Sequence, residues 1–272
     1  MMYCLKYLRY LIQSKHRRGF GIHSPFVFHL VTDVIEEKLP YYKYSLIEKV
    51  RSLLLKTSKT VKVEDFGTGK SGVRKISDIV KCSSKSRDYA QVLFRLVNFY
   101  KAQDILELGT SFGLTTMYLA APNSKSNVVT IEGSLEIAKY AKLSFDHAGF
   151  KNIKLCEGNI DHCLPSVLKT FKKLDFVFFD ANHKRDALMN YFNACFEKSH
   201  DKTVFVIDDI YWSNDMENAW KEIKKDPRVR VTIDMFSFGI VLFDSELQKE
   251  NYILRFFPNL RIHLLDALNI NY

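Results

Sequence analysis

From Lys101 onward, short apolar segments alternate with stretches of helical periodicity, and this alternation restricts the possible folds more than any other feature of the chain. Some segments are apolar without interruption, as in Phe176–Phe179, which is expected of parallel strands that helices cover on both faces. The alternation predicts an α/β domain with a doubly wound, mostly parallel sheet. The five segments predicted to be its parallel strands are 104–109, 127–132, 152–157, 174–180 and 203–208.

The sequence around this sheet predicts three regions. Residues 1–100 read as helices joined by polar loops, a helical region that could serve as a lid, a substrate-binding element or an oligomerisation element. Residues 101–249 form the α/β domain, in which "RVRVTIDMF" and "FGIVLF" are close enough to pair as a C-terminal antiparallel hairpin and complete a seven-stranded sheet. Residues 250–272 form a tail, in which "NYILRF" could add an edge strand.

Charge is distributed unevenly along the 272 residues. The formal net charge is +9, and residues 1–100 carry 19 Lys and Arg against 8 Asp and Glu, whereas the remainder is slightly acidic. A basic first region could approach RNA or an anionic surface, or could simply be a solvated basic face. Nucleic acid is therefore a possible but not a favoured partner, and a homodimer is also possible.

Cysteine usage and hydropathy predict a cytoplasmic protein. The five Cys are scattered and contain no C-x-x-C pair, which argues against a disulfide framework and against a zinc site. No apolar run approaches the roughly 18 residues that a membrane span needs. The start of the chain is basic but interrupted by Lys6 and Arg9, and it reads as an amphipathic helix rather than a signal peptide.

Two glycine-bearing stretches could hold a nucleotide. The first, "VEDFGTGKSG" at 63–72, resembles the end of a triphosphate loop, but the first glycine of G-x-x-x-x-G-K-[ST] would fall on Glu64. A carboxylate there would repel phosphates, so a turn within the helical region is the better interpretation.

The second stretch, "ILELGTSFG" at 105–113, lies where a buried strand ends and a helix begins, which is the ligand position of open α/β sheets. Its G-x-x-x-G spacing departs from the pattern that brings backbone against a pyrophosphate. Glu132 ends the next strand, 23 residues after Gly109, and is placed to accept both hydroxyls of a ribose. These features predict a nucleoside cofactor that is recognised through its ribose and needs no phosphate site.

Five motifs in order resemble those of class I S-adenosylmethionine-dependent methyltransferases, which have a Rossmann-like fold. The resemblance covers about residues 101–244 and is closest to the O-methyltransferases of the catechol, caffeoyl-CoA and macrolide-sugar types. It implies an enzyme that transfers a methyl group from S-adenosylmethionine to a hydroxyl of a small molecule or sugar. The motifs are "ILELGTSFGLTTMYLA", "VVTIEGS", "CEGNIDHCL", "LDFVFFDANH" and "FVIDDIYW".

The resemblance also implies a cofactor site. Glu107, with the residues of the glycine turn and the helix start, would contact the methionine part, Glu132 would bind the ribose with Gly133 beside it, and the segment after the third strand would border the adenine. The full set of implied cofactor-binding residues is Glu107, Gly109, Thr110, Ser111, Gly113, Thr115, Glu132, Gly133, Asn159, Ile160 and Asp180, with Asp161 next to them.

Asp180, Asp208 and Asp209 follow two strands whose ends should meet near this cleft. Three carboxylates in one place are electrostatically costly without a cation, which predicts a divalent ion with oxygen ligands, most simply Mg²⁺. Such an ion could hold a substrate hydroxyl and lower its pKa. In the resembling enzymes these positions are the metal ligands, although the third is often Asn there. The alternative is that Asp208 and Asp209 only cap the following loop.

His183 is the predicted general base, acting beside Asp180. It lies three residues after Asp180, where catechol-type relatives carry Lys, and a histidine can accept a hydroxyl proton near neutral pH. Two alternatives to metal-assisted O-methylation stay open: metal-independent transfer to nitrogen or oxygen, and a cofactor-binding module whose basic region engages RNA or an anionic surface.

Overall fold

The computed structural model describes residues 2–63 and 71–256. Its described helices are α1 (Met2–Gln13), α2 (Pro25–His29) with a π-helical continuation (Leu30–Ile35), α3 (Tyr42–Lys56), α4 (Ile76–Ser83), α5 (Arg87–Tyr100), α6 (Leu114–Ala120), α7 (Leu135–His147), α8 (Ile160–Lys169), α9 (Arg185–Phe196) and α10 (Asn214–Lys225). Its described strands are β1 (Thr60–Val63), β2 (Gly72–Lys75), β3 (Asp104–Leu108), β4 (Asn127–Glu132), β5 (Ile153–Glu157), β6 (Phe176–Phe179), β7 (Val204–Asp208), β8 (Val231–Asp234), β9 (Phe238–Leu242) and β10 (Glu250–Ile253).

The central sheet has the order β10-β8-β9-β7-β6-β3-β4-β5. Strands β3 to β7 are parallel, and β9 runs antiparallel to both β7 and β8. This confirms the predicted Rossmann-like α/β fold with a C-terminal antiparallel hairpin. The sheet has eight strands rather than seven, because Glu250–Ile253 pairs in parallel with β8 at the edge.

The parallel strands are covered on both faces, as their uninterrupted apolar sequence predicts. Val177 and Phe179 of β6 belong to the core beneath α8, α9 and α10, whereas Phe176 and Phe178 belong to the core on the other face. That second core continues into the N-terminal region and includes Leu30 of the π-helical segment. The N-terminal region therefore packs directly on the sheet.

The N-terminal region is not purely helical, which corrects the prediction. Strands β1 and β2 pair antiparallel as a two-stranded hairpin, with Thr60 opposite Lys75. The hairpin lies against the start of α7, where Lys62 N donates to Glu136 Oε2 at 2.5 Å. The G-T-G-K letters fall at 67–70, and residues 64–70 lie outside the described part of the chain.

No helix in the described ranges has the length and apolar character that crossing a membrane requires.

Candidate active site at the ends of the parallel strands

The glycine turn after β3 has a backbone that only glycine can adopt at two positions. Gly109 has φ +99°, and a Cβ built there would lie 2.1 Å from the carbonyl oxygen of Asp180. Gly113 has φ +79° and caps the N-terminus of α6, and its Cβ would lie 2.2 Å from the ring of Phe145. Positive φ together with close packing excludes side chains at both positions. The turn backbone therefore lies close to Asp180, the residue that follows β6, the neighbouring strand in the sheet.

Glu132 reaches this turn from the end of β4. Its Oε2 accepts a hydrogen bond from Ser111 N at 2.8 Å, and its Oε1 accepts one from Ser134 N at 2.9 Å. Burial raises the pKa of Glu132, and the backbone N–H groups around it oppose that rise. The carboxylate thus faces the cleft edge of the sheet and not the apolar interior. The backbone N–H groups of Thr110 and Gly133 also favour the charged form of this carboxylate.

Glu107 lies deeper than the resemblance implies. Its side chain is fully buried, and Thr116 Oγ1 and Thr130 Oγ1 donate to Oε2 at 2.5 and 2.7 Å. Burial raises its pKa to about 8, although both threonine hydrogen bonds lower it. Its Oε1 accepts no hydrogen bond from the described residues. Glu107 therefore supports the turn from beneath.

The remaining residues of the turn line its inner side. Thr110 is buried and its Oγ1 lies 2.6 Å from Thr130 Oγ1, while Thr115 is buried in the first turn of α6. Ser111 has φ +49°, and its Oγ lies 3.4 Å from Ser83 Oγ at the end of α4. The N-terminal region thus covers this side of the cleft.

The segment after β5 is tied to the segment after β6. Asn159 caps α8, where its Oδ1 accepts from Asp161 N at 2.9 Å, and Ile160 is the first residue of that helix. Tyr191 OH donates to Asp161 Oδ1 at 2.6 Å and accepts from Asn182 Nδ2 at 3.3 Å. These bonds place the predicted adenine border beside the loop that carries His183.

Three of the six described non-glycine residues with positive φ lie at the exits of parallel strands. Ser111, Asn182 and Asp209 all have φ between +48° and +52°, and each follows a different strand, β3, β6 or β7. Residues other than glycine rarely adopt this conformation unless the surroundings impose it, and such residues cluster at functional sites.

The structure brings Asp180, Asp208 and Asp209 together, as the sequence predicts, and places a lysine among them. Lys85, from the loop between α4 and α5, has its Nζ 2.6 Å from Asp208 Oδ1 and 3.3 Å from Asp209 Oδ1. Burial opposes the charge on Lys85, but the surrounding carboxylates outweigh it and raise the pKa of the lysine. Lys85 was not predicted from the sequence, and it lies 124 positions from Asp209.

The pKa values of the three carboxyl groups shift in different directions, and burial raises that of Asp208 although Lys85 opposes the rise. Burial and the neighbouring charge of Asp208 raise the pKa of Asp180 well above its usual value. Burial also opposes ionisation of Asp209, but Lys85 and His183 outweigh it and lower the pKa of that carboxyl. His183 Nε2 lies 3.9 Å from Asp209 Oδ2, so the predicted base stands next to an ionised carboxylate.

The donor set for a divalent ion is present, but its arrangement does not fit one. A cation bound through Oδ1 of Asp208 and Oδ1 of Asp209 would have to occupy the space in which the Lys85 ammonium already lies. Among the described residues, no group of three or more His, Cys, Asp and Glu side chains has an arrangement that could hold a metal ion.

Tyr211, which follows the Asp pair, belongs to a hydrogen-bonded network around Asp234. Its hydroxyl donates to Asp234 Oδ2 at 2.6 Å, and its ring stacks on Phe236 with centroids 5.3 Å apart. Trp220 Nε1 donates to the same carboxylate oxygen at 3.0 Å. The exposed Trp212 stands apart from this network. The five cysteines are free thiols, which agrees with the sequence prediction.

Residues 106–210 match a family model described as a methyltransferase domain. No curated protein matches the chain.

Solved structures share the fold at low sequence identity. The O-methyltransferase from Bacillus cereus in complex with SAH has a TM-score of 0.54 and 22% identity, over 80% of this chain and 97% of that one. The O-methyltransferase TomG from Streptomyces achromogenes, in complex with SAM, has a TM-score of 0.51 and 20% identity, over 60% and 82%. The SAH-bound methyltransferase PaMTH1 from Podospora anserina has a TM-score of 0.53 and 16% identity, over 77% and 99%.

The matched segment begins within β3 and ends just after β7, so it contains the glycine turn, Glu132 and the three carboxylates. Residues 106–210 are therefore similar to a methyltransferase domain, and the chain shares the fold of the solved methyltransferases.

Proposed function

We propose that this chain transfers a methyl group from S-adenosylmethionine to a hydroxyl group of a small molecule or sugar. The observation that carries the proposal is the position of Glu132, whose carboxylate meets the glycine turn at Ser111 N, where a ribose would lie. The methyltransferase family match and the SAM- and SAH-bound O-methyltransferases of the same fold support the donor and the reaction type.

The chain's own residues would bind and orient the donor. Glu132 would accept hydrogen bonds from the ribose hydroxyls, and Gly109 and Gly113 shape a turn that the donor can approach closely. Asn159 and Ile160 would border the base, held in place through Asp161 and Tyr191. When bound, the donor supplies a methyl group on a positively charged sulfur, which needs no phosphate-binding loop.

His183 would remove the acceptor's proton. Its ring is partly exposed, and Asp209 lies 3.9 Å from Nε2, so the carboxylate would stabilise the ring after it gains a proton. Asp180, at the preceding strand exit, would contact donor or acceptor at the same edge of the sheet. A divalent ion stays a prediction from sequence, and no step of this proposal passes through one, because Lys85 already supplies a positive charge at the carboxylates.

Calorimetric titration with S-adenosylmethionine tests the proposal. We expect Glu132→Ala to weaken donor binding by about 10- to 100-fold, since hydrogen bonds to a charged group contribute roughly 1.5–3 kcal/mol. Glu197→Ala is a matched control, because it removes the same charge from an exposed position at the far end of α9. Failure of the wild-type chain to bind the donor would refute the proposal, and equal affinities for wild type and Glu132→Ala would remove the ribose role.

A further inference from the structure

We propose that Lys85 is the built-in cation of this site and takes the position that a divalent metal ion would otherwise need. The inference rests on the proposed function, and it assigns methyl transfer in this chain to a metal-independent mode. It starts from two distances, 2.6 Å from Lys85 Nζ to Asp208 Oδ1 and 3.3 Å to Asp209 Oδ1.

The ammonium group and a metal ion exclude each other here. Mg²⁺ binds carboxylate oxygens at about 2.1 Å and retains several water molecules, so it needs open space around the oxygens that it contacts. The side chains of Lys85 and Asp208 are only 11% and 1% exposed. A divalent ion placed between the two carboxylates would meet the positively charged nitrogen at contact distance, without intervening water to screen the repulsion.

Lys85 is fixed in this position from two sides. Its loop connects α4 to α5, and Ser83 at the end of α4 meets Ser111 of the glycine turn. On the other side, Lys85 Nζ lies 3.5 Å from Ser237 Oγ, and Ser237 O accepts from Asp209 N at 2.8 Å. The lysine is therefore held by the connection between β8 and β9 as well as by its ion pairs, unlike a solvated surface lysine that could leave the site at little cost.

The chemical role of Lys85 is to compensate charge. The carboxylates of Asp208 and Asp209 would repel an acceptor oxygen that becomes negative as it loses its proton. The lysine compensates part of that negative charge with a single positive charge and leaves proton removal to His183. Lys85 is thus a positioning residue, acting on the reaction through the two aspartates.

Manganese binding, followed by electron paramagnetic resonance with Mn²⁺ alone as the probe, tests the proposal independently of turnover. We expect the wild-type chain to bind Mn²⁺ only weakly, and Lys85→Ala to bind it at least about tenfold more tightly, because the substitution frees the oxygens of Asp208 and Asp209. Lys85→Arg should resemble wild type. The matched control is Lys81→Ala, which removes an exposed lysine of α4 and should leave Mn²⁺ binding unchanged.

Removing a buried partner can unfold a protein, so the test does not depend on Lys85→Ala alone. If that variant folds only with Mn²⁺ present, metal-dependent folding is itself evidence of the expected increase in Mn²⁺ affinity. The double variant Lys85→Met, Asp208→Asn, which lacks both charges of the closer pair, should fold and show no gain in Mn²⁺ affinity. Wild-type activity on any accepted hydroxyl compound should survive a chelator.

Tight Mn²⁺ binding by the wild-type chain would overturn the proposal, as would loss of its turnover in chelator or unchanged Mn²⁺ affinity in a folded Lys85→Ala protein. These outcomes are distinguishable from failure of the proposed function, because that function fails if wild type does not bind S-adenosylmethionine in calorimetry, whatever the metal titration shows.

Discussion

At the scale of single residues, this site combines acids in different environments within one cleft. Glu107 is fully buried and bonded to two threonines, whereas Glu132 lies at the surface of the same cleft and accepts backbone N–H groups. Burial therefore has the larger effect on Glu107, and its carboxyl is mostly protonated at neutral pH. A neutral acid beneath the turn avoids adding a further charge near Glu132.

The pKa of Glu107 predicts a pH-dependent stability. Because the folded-state pKa of about 8 is above the usual 4.5, the stability that this group contributes is complete below about pH 4.5 and is lost as the pH rises towards 8. In urea unfolding of the free protein, the free energy of unfolding of wild type relative to Glu107→Gln should fall by about 1 kcal/mol per pH unit across this range.

Thr116→Val provides the companion measurement. It removes one hydroxyl that donates to the carboxylate, so the pKa should rise further and the decline should extend to higher pH. A difference between wild type and Glu107→Gln that does not change with pH would show that Glu107 ionises in the fold as it does in water.

At the scale of elements, α1 shows how the N-terminal region is attached. Tyr3, Tyr7 and Tyr10 surround Phe236 with ring centroids 4.8–5.2 Å apart, and Phe236 belongs to the connection between β8 and β9. The Tyr10 hydroxyl donates to Leu254 O, just beyond β10. The helix therefore packs on the strand connection whose next residue, Ser237, contacts Lys85.

Replacing Tyr10 should reveal this attachment. Tyr10 is 3% exposed, and we expect Tyr10→Ala to lower the free energy of unfolding by about 3 kcal/mol, as large-to-small substitutions of buried aromatic residues do. Leu5→Ala is the control on the same helix, because Leu5 is 61% exposed and its loss should change stability by less than about 0.5 kcal/mol. Chemical denaturation measures both, and equal effects would mean that α1 is not docked by its tyrosine face.

The elements also show which predictions a sequence permits. The parallel strands were predictable because strands such as β6, buried on both faces, leave a continuous apolar run in the sequence. The β1–β2 hairpin was not, since Thr60–Val63 and Gly72–Lys75 are short, contain lysines and are separated by the eight residues 64–71 in the sequence. Periodicity alone does not identify such strands.

Most of the candidate site was also predictable, because its residues lie at the ends of the predicted strands. Gly109, Glu132 and the three aspartates lie at strand ends, and parallel topology brings strand ends together. The charge of the cluster indicated a cation, and the sequence favoured a metal. Lys85 could not be identified because its role depends on tertiary packing across 124 residues, and one lysine in a polar interhelical loop resembles any other.

At the scale of the whole molecule, the N-terminal excess of positive charge remains on the surface. Lys15, Arg17 and Arg18 are exposed, and Phe20 beside them is 78% exposed. Basic residues with an exposed aromatic ring are the features that single-stranded nucleic acids use, although a solvated face has the same composition.

Neutralising this segment distinguishes the two possibilities. We expect the triple variant Lys15→Gln, Arg17→Gln, Arg18→Gln to bind S-adenosylmethionine within about twofold of wild type, because the segment contributes no residue to the cleft described here. Retention on immobilised RNA should be weak and should disappear as salt rises, as for any non-specific basic surface. Salt-resistant retention that the triple variant loses would instead identify an RNA-binding face, and a weakened donor affinity would place the segment at the cleft.

The long separation between Lys85 and its aspartates also bears on biosynthesis. A ribosome releases the α4–α5 loop well before it synthesises Asp208 and Asp209, so Lys85 leaves the exit tunnel before its two partner carboxylates exist. In the nascent chain the ammonium group therefore stays hydrated until β7, the strand that ends at Asp208, has been synthesised. The ion pairs of Lys85 with Asp208 and Asp209 consequently form late, after most of the domain has been synthesised.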